Sequence, residues 1–439
     1  MRSMRWALCG GILLTAGCVT HRGPWRLEPP PPAADGVELI LLANTAPATS
    51  DNQRIAARLH DVLAEDRPRL VLWLGNMAAT PRASATPLAV RRGPRCSLLD
   101  NAWAGSNAAL AQTVRTHAGP DGFGTVGVHD HRCGHGAALR PELSLDEPPD
   151  SPEPLDSPGP PDSPDPWSDS LHPFRMPATH YVLRVLDDGS TQIRARCADG
   201  TCRFDRTPAP SERRPLVDLV VVDLSPWLYP SSEPAARRRD EQQVQALDVL
   251  LQTLAQTPPR AAPPRLLVSS VPVEAAGEHG LGTLRPDATV HNLPTELQTL
   301  LVEGHFAGVL AAHDRSLYAT PDLSDALKRA DRIWLRTPVF QVVAGAVSRP
   351  NNRAAMALRR RRVRRSQAFH PPVWSDHAGF AVVHLLPDQA RITLHARRGR
   401  RWETASMPVP LRPEPHPATT PSPVMTPCRD CPPIPAIER

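Results

Sequence analysis

Apolar runs of five to nine residues, each ending on small or polar residues, punctuate this chain. "VELILL" (37–42) is followed by a stretch with Ile55, Leu59, Val62 and Leu63 at helical spacing, which predicts a helix from about Asp51. "LVLWL" (70–74), "GTVGV" (124–128), "LVDLVVVDL" (216–224), "RLLVSS" (265–270) and "GVLAAH" (308–313) read as further strands. A helix carrying Val244, Leu247, Leu251 and Leu254 precedes the fourth of these, and another is predicted near 294–304. "FQVVAGA", "GFAVVHLL" and "RITLHA" make the last part all strand. Continuous apolar strands alternating with helices predict sheet that is buried on both faces. In such folds the working residues sit just past the carboxyl ends of the strands.

Three segments break this pattern. Residues 19–36 contain "PPPP" and read as a tether, and the chain from about 411 reads as a tail. Residues 141–177 carry "DSP" three times, with no Lys or Arg between Arg140 and Arg175. Such an acidic, proline-rich insert has too little apolar surface to fold and is expected to be disordered. "HYVLRVL" and "TQIRARC" surround Asp188-Gly189, and Asp199-Gly200 follows, so this region predicts a meander with tight hairpin turns. Cys197 and Cys202 flank the second turn and are candidates for a disulfide. Cys428 and Cys431 form an isolated CxxC in the tail, without the second motif that a metal or redox site needs.

The amino terminus adds a location. Arg2 and Arg5 precede the apolar run "WALCGGILLTAG", which is too short to span a bilayer but fits a signal peptide ending before Cys18. "LTAGC" resembles the lipobox of bacterial lipoproteins, which implies residues 1–17 as signal, a lipid-modified Cys18, and a cell-envelope location held by acyl chains. Val19 rather than Asp after the cysteine favours the outer membrane. Lys328 is the sole lysine, and the net charge of +5 is too small and scattered to argue for nucleic acid. The dense exception is "RRRRVRR", Arg359 to Arg365, which is either a solvated loop or a contact for anionic envelope components. Protein partners are not legible.

The strand ends, taken in order, are "LLANTA", "LWLGNMA", "VGVHDHRCG", "LVSSVPVEAAGEHG" and "LAAHDRSLY". Their order resembles the calcineurin-like metallophosphoesterases, above all the acid-phosphatase-like branch, whose motifs run "GDxG" or "DxH", "GDxxY", "GNHD", "GHHPxxSxGxHG" and "GHDHxLY". The resemblance covers about residues 37–396. It implies an α/β fold of two packed mixed β-sheets flanked by helices, in two parts, 37–140 and 178–410, separated by the insert. It also implies a site for two divalent ions such as Fe, Mn or Zn, about 3.5–4 Å apart, that polarise phosphate and activate water. Carried over position by position, the motif's first Asp is Asn44 and its bridging Asp is Asn76. The amide ligand is Val128, the histidine of the fourth motif is Ser269 or Ser270, and the last histidine is Arg315. His129, its neighbour Asp130 and His313 remain as in the family.

Those substitutions imply a metal site that has decayed and a non-catalytic binding or structural protein without cofactors. His129, His313 and Arg315 are then candidates for an anion contact, or for simple loop pairing with Asp130 and Asp314. The alternative is an active phosphoesterase, for phosphomonoesters or phosphodiesters, with an unusual metal arrangement. "HDHRCGH" (129–135) fits no zinc spacing. Asp223, at a strand end, reads as structural. Replacing Cys18 with Ser is expected to abolish palmitate labelling and detergent-phase partitioning; unchanged partitioning would remove the lipid anchor from the account.

Overall fold

The structure is a computed structural model. It describes residues 36–43, 50–63, 67–75, 122–125, 176–205, 213–258, 262–276, 293–313, 316–331, 333–345 and 371–412, with isolated positions between and beyond them. In chain order the elements are β1 (Val37–Leu42), α1 (Ser50–Leu63), β2 (Arg69–Trp73), β3 (Gly122–Gly124), β4 (His180–Leu186), β5 (Thr191–Ala198) and β6 (Thr201–Phe204). They continue with β7 (Pro215–Val222), α2 (Ser225–Leu228), α3 (Pro234–Ala255), β8 (Arg265–Ser269), α4 (Thr295–Val302), β9 (Gly308–Ala311), β10 (Leu317–Thr320) and α5 (Ser324–Asp331). The last are β11 (Phe340–Ala344), β12 (Val373–Ser375), β13 (Gly379–Leu385), β14 (Gln389–Arg398) and β15 (Arg401–Pro410).

Two mixed sheets result. One has the order β15-β14-β13-β1-β2-β3, the other β12-β10-β11-β9-β8-β7-β4-β5-β6. Period-two alternation assigns each central strand to two different cores. Val37, Leu39 and Leu41 of β1 join Leu219 and Val221 of β7, Leu266 and Val268 of β8, and Val383 and Leu385 of β13 in a layer between the sheets. The alternate residues of β1, Ile40 and Leu42, pack with Ile55 and Leu59 of α1 on the outer face of the first sheet. Val220 and Val222 of β7 and Leu267 of β8 pack outward with Leu247, Leu250 and Leu251 of α3 and with Leu297 and Leu301 of α4. The strands read as unbroken apolar runs because both faces are dry.

Among the polar residues of these strands a single device appears twice. In β1–α1–β2, Glu38 N–H donates to Pro68 O at 3.0 Å, and in β7–α3–β8, Asp218 N–H donates to Pro264 O at 2.9 Å. Arg69, directly after Pro68, donates to the α1 carbonyls of Leu63 and Val62 at 3.0 and 3.2 Å and to Glu38 Oε2 at 3.0 Å. Arg265, directly after Pro264, donates to Leu254 O of α3 at 3.1 Å. Each arginine supplies the last carbonyls of a helix with donors and places positive charge at the negative end of its dipole. Asp218 accepts both bonds of an Arg184 fork at 2.8 and 2.9 Å, and that contact pushes the guanidinium pKa up.

Several sequence expectations need correction. The strand expected at 124–128 is β3, Gly122–Gly124, and Val128 opens a helical turn in which His131 N–H donates to Gly127 O at 2.9 Å. Met176, within the expected insert, is described and buried beside α1. Leu411 lies beyond the expected domain end, yet it is buried and donates to Asp388 O at 2.9 Å. Val244 is half-buried; Gln243, Ala246, Leu247, Leu250, Leu251 and Leu254 form the packed face of α3. β10, β12, β15, α2 and α5 were not anticipated; β15 carries Pro408 and Pro410, which an edge strand tolerates. Residues 1–35, most of the 141–177 insert, Arg359 to Arg365, Cys428 and Cys431 lie outside the described residues.

Cys197 and Cys202 stand opposite each other on β5 and β6 and are joined by a disulfide, with Cα atoms 4.1 Å apart. Asp199 and Gly200 take φ of 50° and 79° in the turn between them, the left-handed pair a two-residue hairpin requires.

His395 of β14 stacks on Phe380 at 4.7 Å, its Nδ1 has no hydrogen-bond partner, and its ring is 7% exposed. Burial, and then the nearby Arg58 charge, push its pKa down from 6.5 to about 3. Burial is also the first cause of the lowered values of His384 and His305. The unfolded chain therefore binds protons that the folded chain does not. Stability is full above about pH 6.5 and declines as pH falls toward the folded value, by about 1.4 kcal/mol per unit for one histidine. The free energy of unfolding from urea titrations should be lower at pH 5 than at pH 6.5 by about 2 kcal/mol for His395 alone, and a His395→Phe chain should show a correspondingly flatter profile. An unchanged profile in that variant would refute the assignment.

Candidate functional site

The parallel strands of both sheets discharge their carboxyl ends at one rim of the sandwich. β1 pairs parallel with β2 and β2 with β3; β7, β8, β9 and β11 are parallel neighbours. Two buried side chains clasp the two sets at that rim. Thr125 Oγ1 donates to Val222 O at 3.3 Å, and Tyr181 Oη donates to Gly124 O at 2.8 Å. Burial pushes the Tyr181 phenol far above its ordinary pKa of 10, so it is a fixed donor. Thr125 N–H donates to Trp73 O at 2.9 Å and Leu74 N–H to Leu42 O at 2.8 Å, which extends the ladder past the end of each strand.

After β7, Asp223 caps the turn into α2: its Oδ1 accepts from Ser225 N–H at 2.9 Å. Its own N–H donates to His180 Nδ1 at 3.2 Å, and His180 Nε2 donates to Gln243 O of α3 at 2.9 Å. An N–H on Nδ1 and a carbonyl on Nε2 require the neutral Nε2–H tautomer. His180 thus ties β4, β7 and α3 together.

After β8 comes "SSVPVEAAG". Ser269 and Ser270 are fully buried. Ser269 Oγ accepts from Val271 N–H at 3.1 Å, and Ser270 Oγ has no hydrogen-bond partner. The following backbone is held by the next strands. Gln341 of β11 accepts from the N–H groups of Val273 and Glu274 at 2.9 and 3.2 Å, and its amide donates to Glu274 O at 2.7 Å. Tyr318 of β10 donates to the same carbonyl at 2.7 Å and accepts from Ala276 N–H at 3.2 Å. The segment is a pinned, buried turn, with its serines turned into the protein.

After β9, His313 is 1% exposed and takes φ of 60°, a left-handed conformation that is uncommon for a residue with a side chain. Val128 is fully buried in the cluster between the second sheet and its helices. His131, from the "HDHRCGH" run, points Nε2 toward Asp240 Oδ2 of α3 at 3.7 Å, and Ser231 N–H donates to that same oxygen at 2.7 Å.

The structure therefore gathers Val128, Ser269, Ser270, Asp223 and His313 at one rim. Asn44, Asn76, His129, Asp130 and Arg315 lie outside the described residues; Ala43 and Gly75 are the last described positions before the two asparagines. Gly75 has φ of 83°, a bend out of β2 that glycine makes without strain. Among the described residues no group of three or more His, Cys, Asp and Glu side chains is placed to hold a metal ion. Sequence reasoning missed His180, Thr125, Gln341 and Tyr318. All four lie within or beside apolar strands, where nothing in the sequence separates a clasp from an incidental polar residue.

Comparison with known proteins adds little. No family model matches the chain, and no curated protein matches it. Among solved structures, GAP50, the anchor in the inner membrane complex of Plasmodium, is similar over 86% of this chain and 90% of its own, with 12% identity and a TM-score of 0.48. PhoD is similar over 89% of this chain and 73% of its own, with 10% identity and a TM-score of 0.44. At these scores neither likeness assigns an activity.

The pinned turn after β8 generates a stability test. Gln341→Leu removes the partner of two N–H groups and one of the partners of Glu274 O. A buried group losing its partner costs about 1–3 kcal/mol, so the two N–H groups together should lower the free energy of unfolding by at least about 2 kcal/mol. Tyr318→Phe should cost less. Equal stability of Gln341→Leu and the parent would show that the turn does not depend on this clamp.

Proposed function

We propose that this chain is a metallophosphoesterase-like domain that has kept the strand-end framework and lost the metal chemistry, and that it acts as a non-catalytic binding or structural protein anchored to the envelope through Cys18. The order of the strand-end motifs supports the family reading, and the two mixed sheets, with their parallel strands ending at one rim, are the architecture it requires.

The observation that carries the loss of chemistry is the donor set. Two adjacent dications need anionic and imidazole ligands to offset their repulsion. The matching carboxylates are the neutral Asn44 and Asn76, and the last histidine is Arg315, a fixed cation. Val128 has no donor atom in its side chain and is packed in the core. Ser269 is engaged with its own turn, and the neutral Ser270 hydroxyl is fully buried. Altering even the partners that orient a ligand costs about 10–100-fold in metal affinity or activity, and here the changes fall on the ligands themselves. This set does not fit the two-metal group. No helix among the described residues is long and apolar enough to cross a membrane. A lipid anchor accounts for membrane attachment without one.

Purified protein given Mn²⁺, Fe²⁺ or Zn²⁺ is expected to hydrolyse neither an aryl phosphomonoester nor a bis-aryl phosphodiester above the rate of buffer with metal. Turnover that disappears in His129→Ala would establish instead an active phosphoesterase with an unusual metal arrangement.

A further inference from the structure

The turn between β14 and β15 reads Arg397-Arg398-Gly399-Arg400-Arg401. Arg398, Arg400 and Arg401 are exposed, and Gly399 makes the bend with φ of 63°. Arg398 lies 3.5 Å from Glu403, so the turn keeps excess positive charge. Its position follows from register. β14 pairs with β13 through Gly379↔Ala396, and β13 runs antiparallel to β1 through Leu41↔Ala381. The turn therefore projects from the same rim as the carboxyl ends of β1, β2 and β3.

The acidic insert is attached at that rim too. The last described residues ahead of it, Val128 and His131, lie just beyond the end of β3, and the described chain returns at Met176 ahead of β4, whose Tyr181 pairs with Val221 near the end of β7. Met176 shares an apolar cluster with Ala378 and Phe380, against which Trp402 packs. Ala378 O accepts from Arg397 N–H at 2.8 Å, and Trp402 follows Arg401 directly. The returning end of the insert is thus seated on the base of the arginine turn. Between Glu142 and Asp169 the insert carries nine carboxylates and no Lys or Arg. We infer that the Arg398–Arg401 turn is a docking surface for the chain's own acidic insert, which pairs its carboxylates with these guanidinium groups in cis. The pairing is a set of exposed, charge-assisted contacts, individually weak and sensitive to salt, made effective by tethering both ends of the insert at the rim.

This inference is independent of the metal question, and the near absence of lysine gives it a clean test. Arg400→Lys introduces an amine at the turn, and Lys328 of α5, 4.1 Å from the Trp334 ring, serves as internal reference. A zero-length carbodiimide cross-linker applied to the full-length variant, followed by peptide mass spectrometry, should join position 400 to carboxylates between Glu142 and Asp169. The products should form within one chain, stay constant on dilution, and be lost in 1 M NaCl, where the screening length falls to about 3 Å. They should also be lost when the nine carboxylates are changed to Asn and Gln. Absence of cross-links at position 400, or equal yield at Lys328, would overturn the inference. So would products that join isotopically light and heavy chains, which would make the occupant a second copy. Binding of the unmodified protein to phosphatidylglycerol vesicles, if abolished by Arg398→Ser with Arg400→Ser and Arg401→Ser, would assign the turn to a membrane surface instead.

Discussion

Burial of the central strands on both faces is the constraint from which the remaining structure follows. Val37, Leu39 and Leu41 face the opposing sheet while Ile40 and Leu42 face α1, and β7 and β8 repeat the arrangement against α3 and α4. A leucine truncated to alanine in such a layer costs about 2–5 kcal/mol. A charge within these strands is kept only with a partner, as for Asp218 of β7 in the Arg184 fork. Other polar groups gather toward the strand ends, and the two ends of the sandwich serve different purposes.

At the amino ends of β2 and β8 the polar residues are structural. Arg69 and Arg265 satisfy the last carbonyls of α1 and α3, and the acidic residues opposite them are Glu38 and Asp218. At the carboxyl ends, Thr125 and Tyr181 hold the two sheets in register, and His180, Gln341 and Tyr318 fix the turns that follow β7 and β8. Among the described residues of this rim, the hydroxyl of Ser269, the imidazole of His180 and the amide of Gln341 each hold backbone in place. These clasps stabilise the fold whether or not a metal is held.

The elements legible in the sequence are those with sustained periodicity, such as the apolar runs of β1 and β7 and the four spaced apolar residues of α1 and of α3. β3, β10 and β12 span three or four residues, too few to show a period, and Val128 was misplaced because the glycines around β3 allow the chain to leave the strand early. The rim was legible as an ordered series of strand ends, since small and polar residues interrupt apolar runs there. Its internal wiring was not. Gln341 sits in "FQVV" as one polar residue in a strand, and its bonds to Val273 and Glu274 join positions far apart in sequence. The two arginine–proline pairs at 68–69 and 264–265 are visible in the sequence, but their shared role emerges only once α1 and α3 are placed.

The proposal that unites these features is a phosphoesterase-like sandwich whose rim holds chain rather than ions. Metal stoichiometry tests this most directly. The chain, isolated from its own membrane in detergent without chelators, would be analysed by inductively coupled plasma mass spectrometry for Mn, Fe and Zn. The account predicts a content well below one ion per chain, unchanged by dialysis against chelator. Two retained ions per chain, lost together with a drop in thermal stability on chelation, would contradict it.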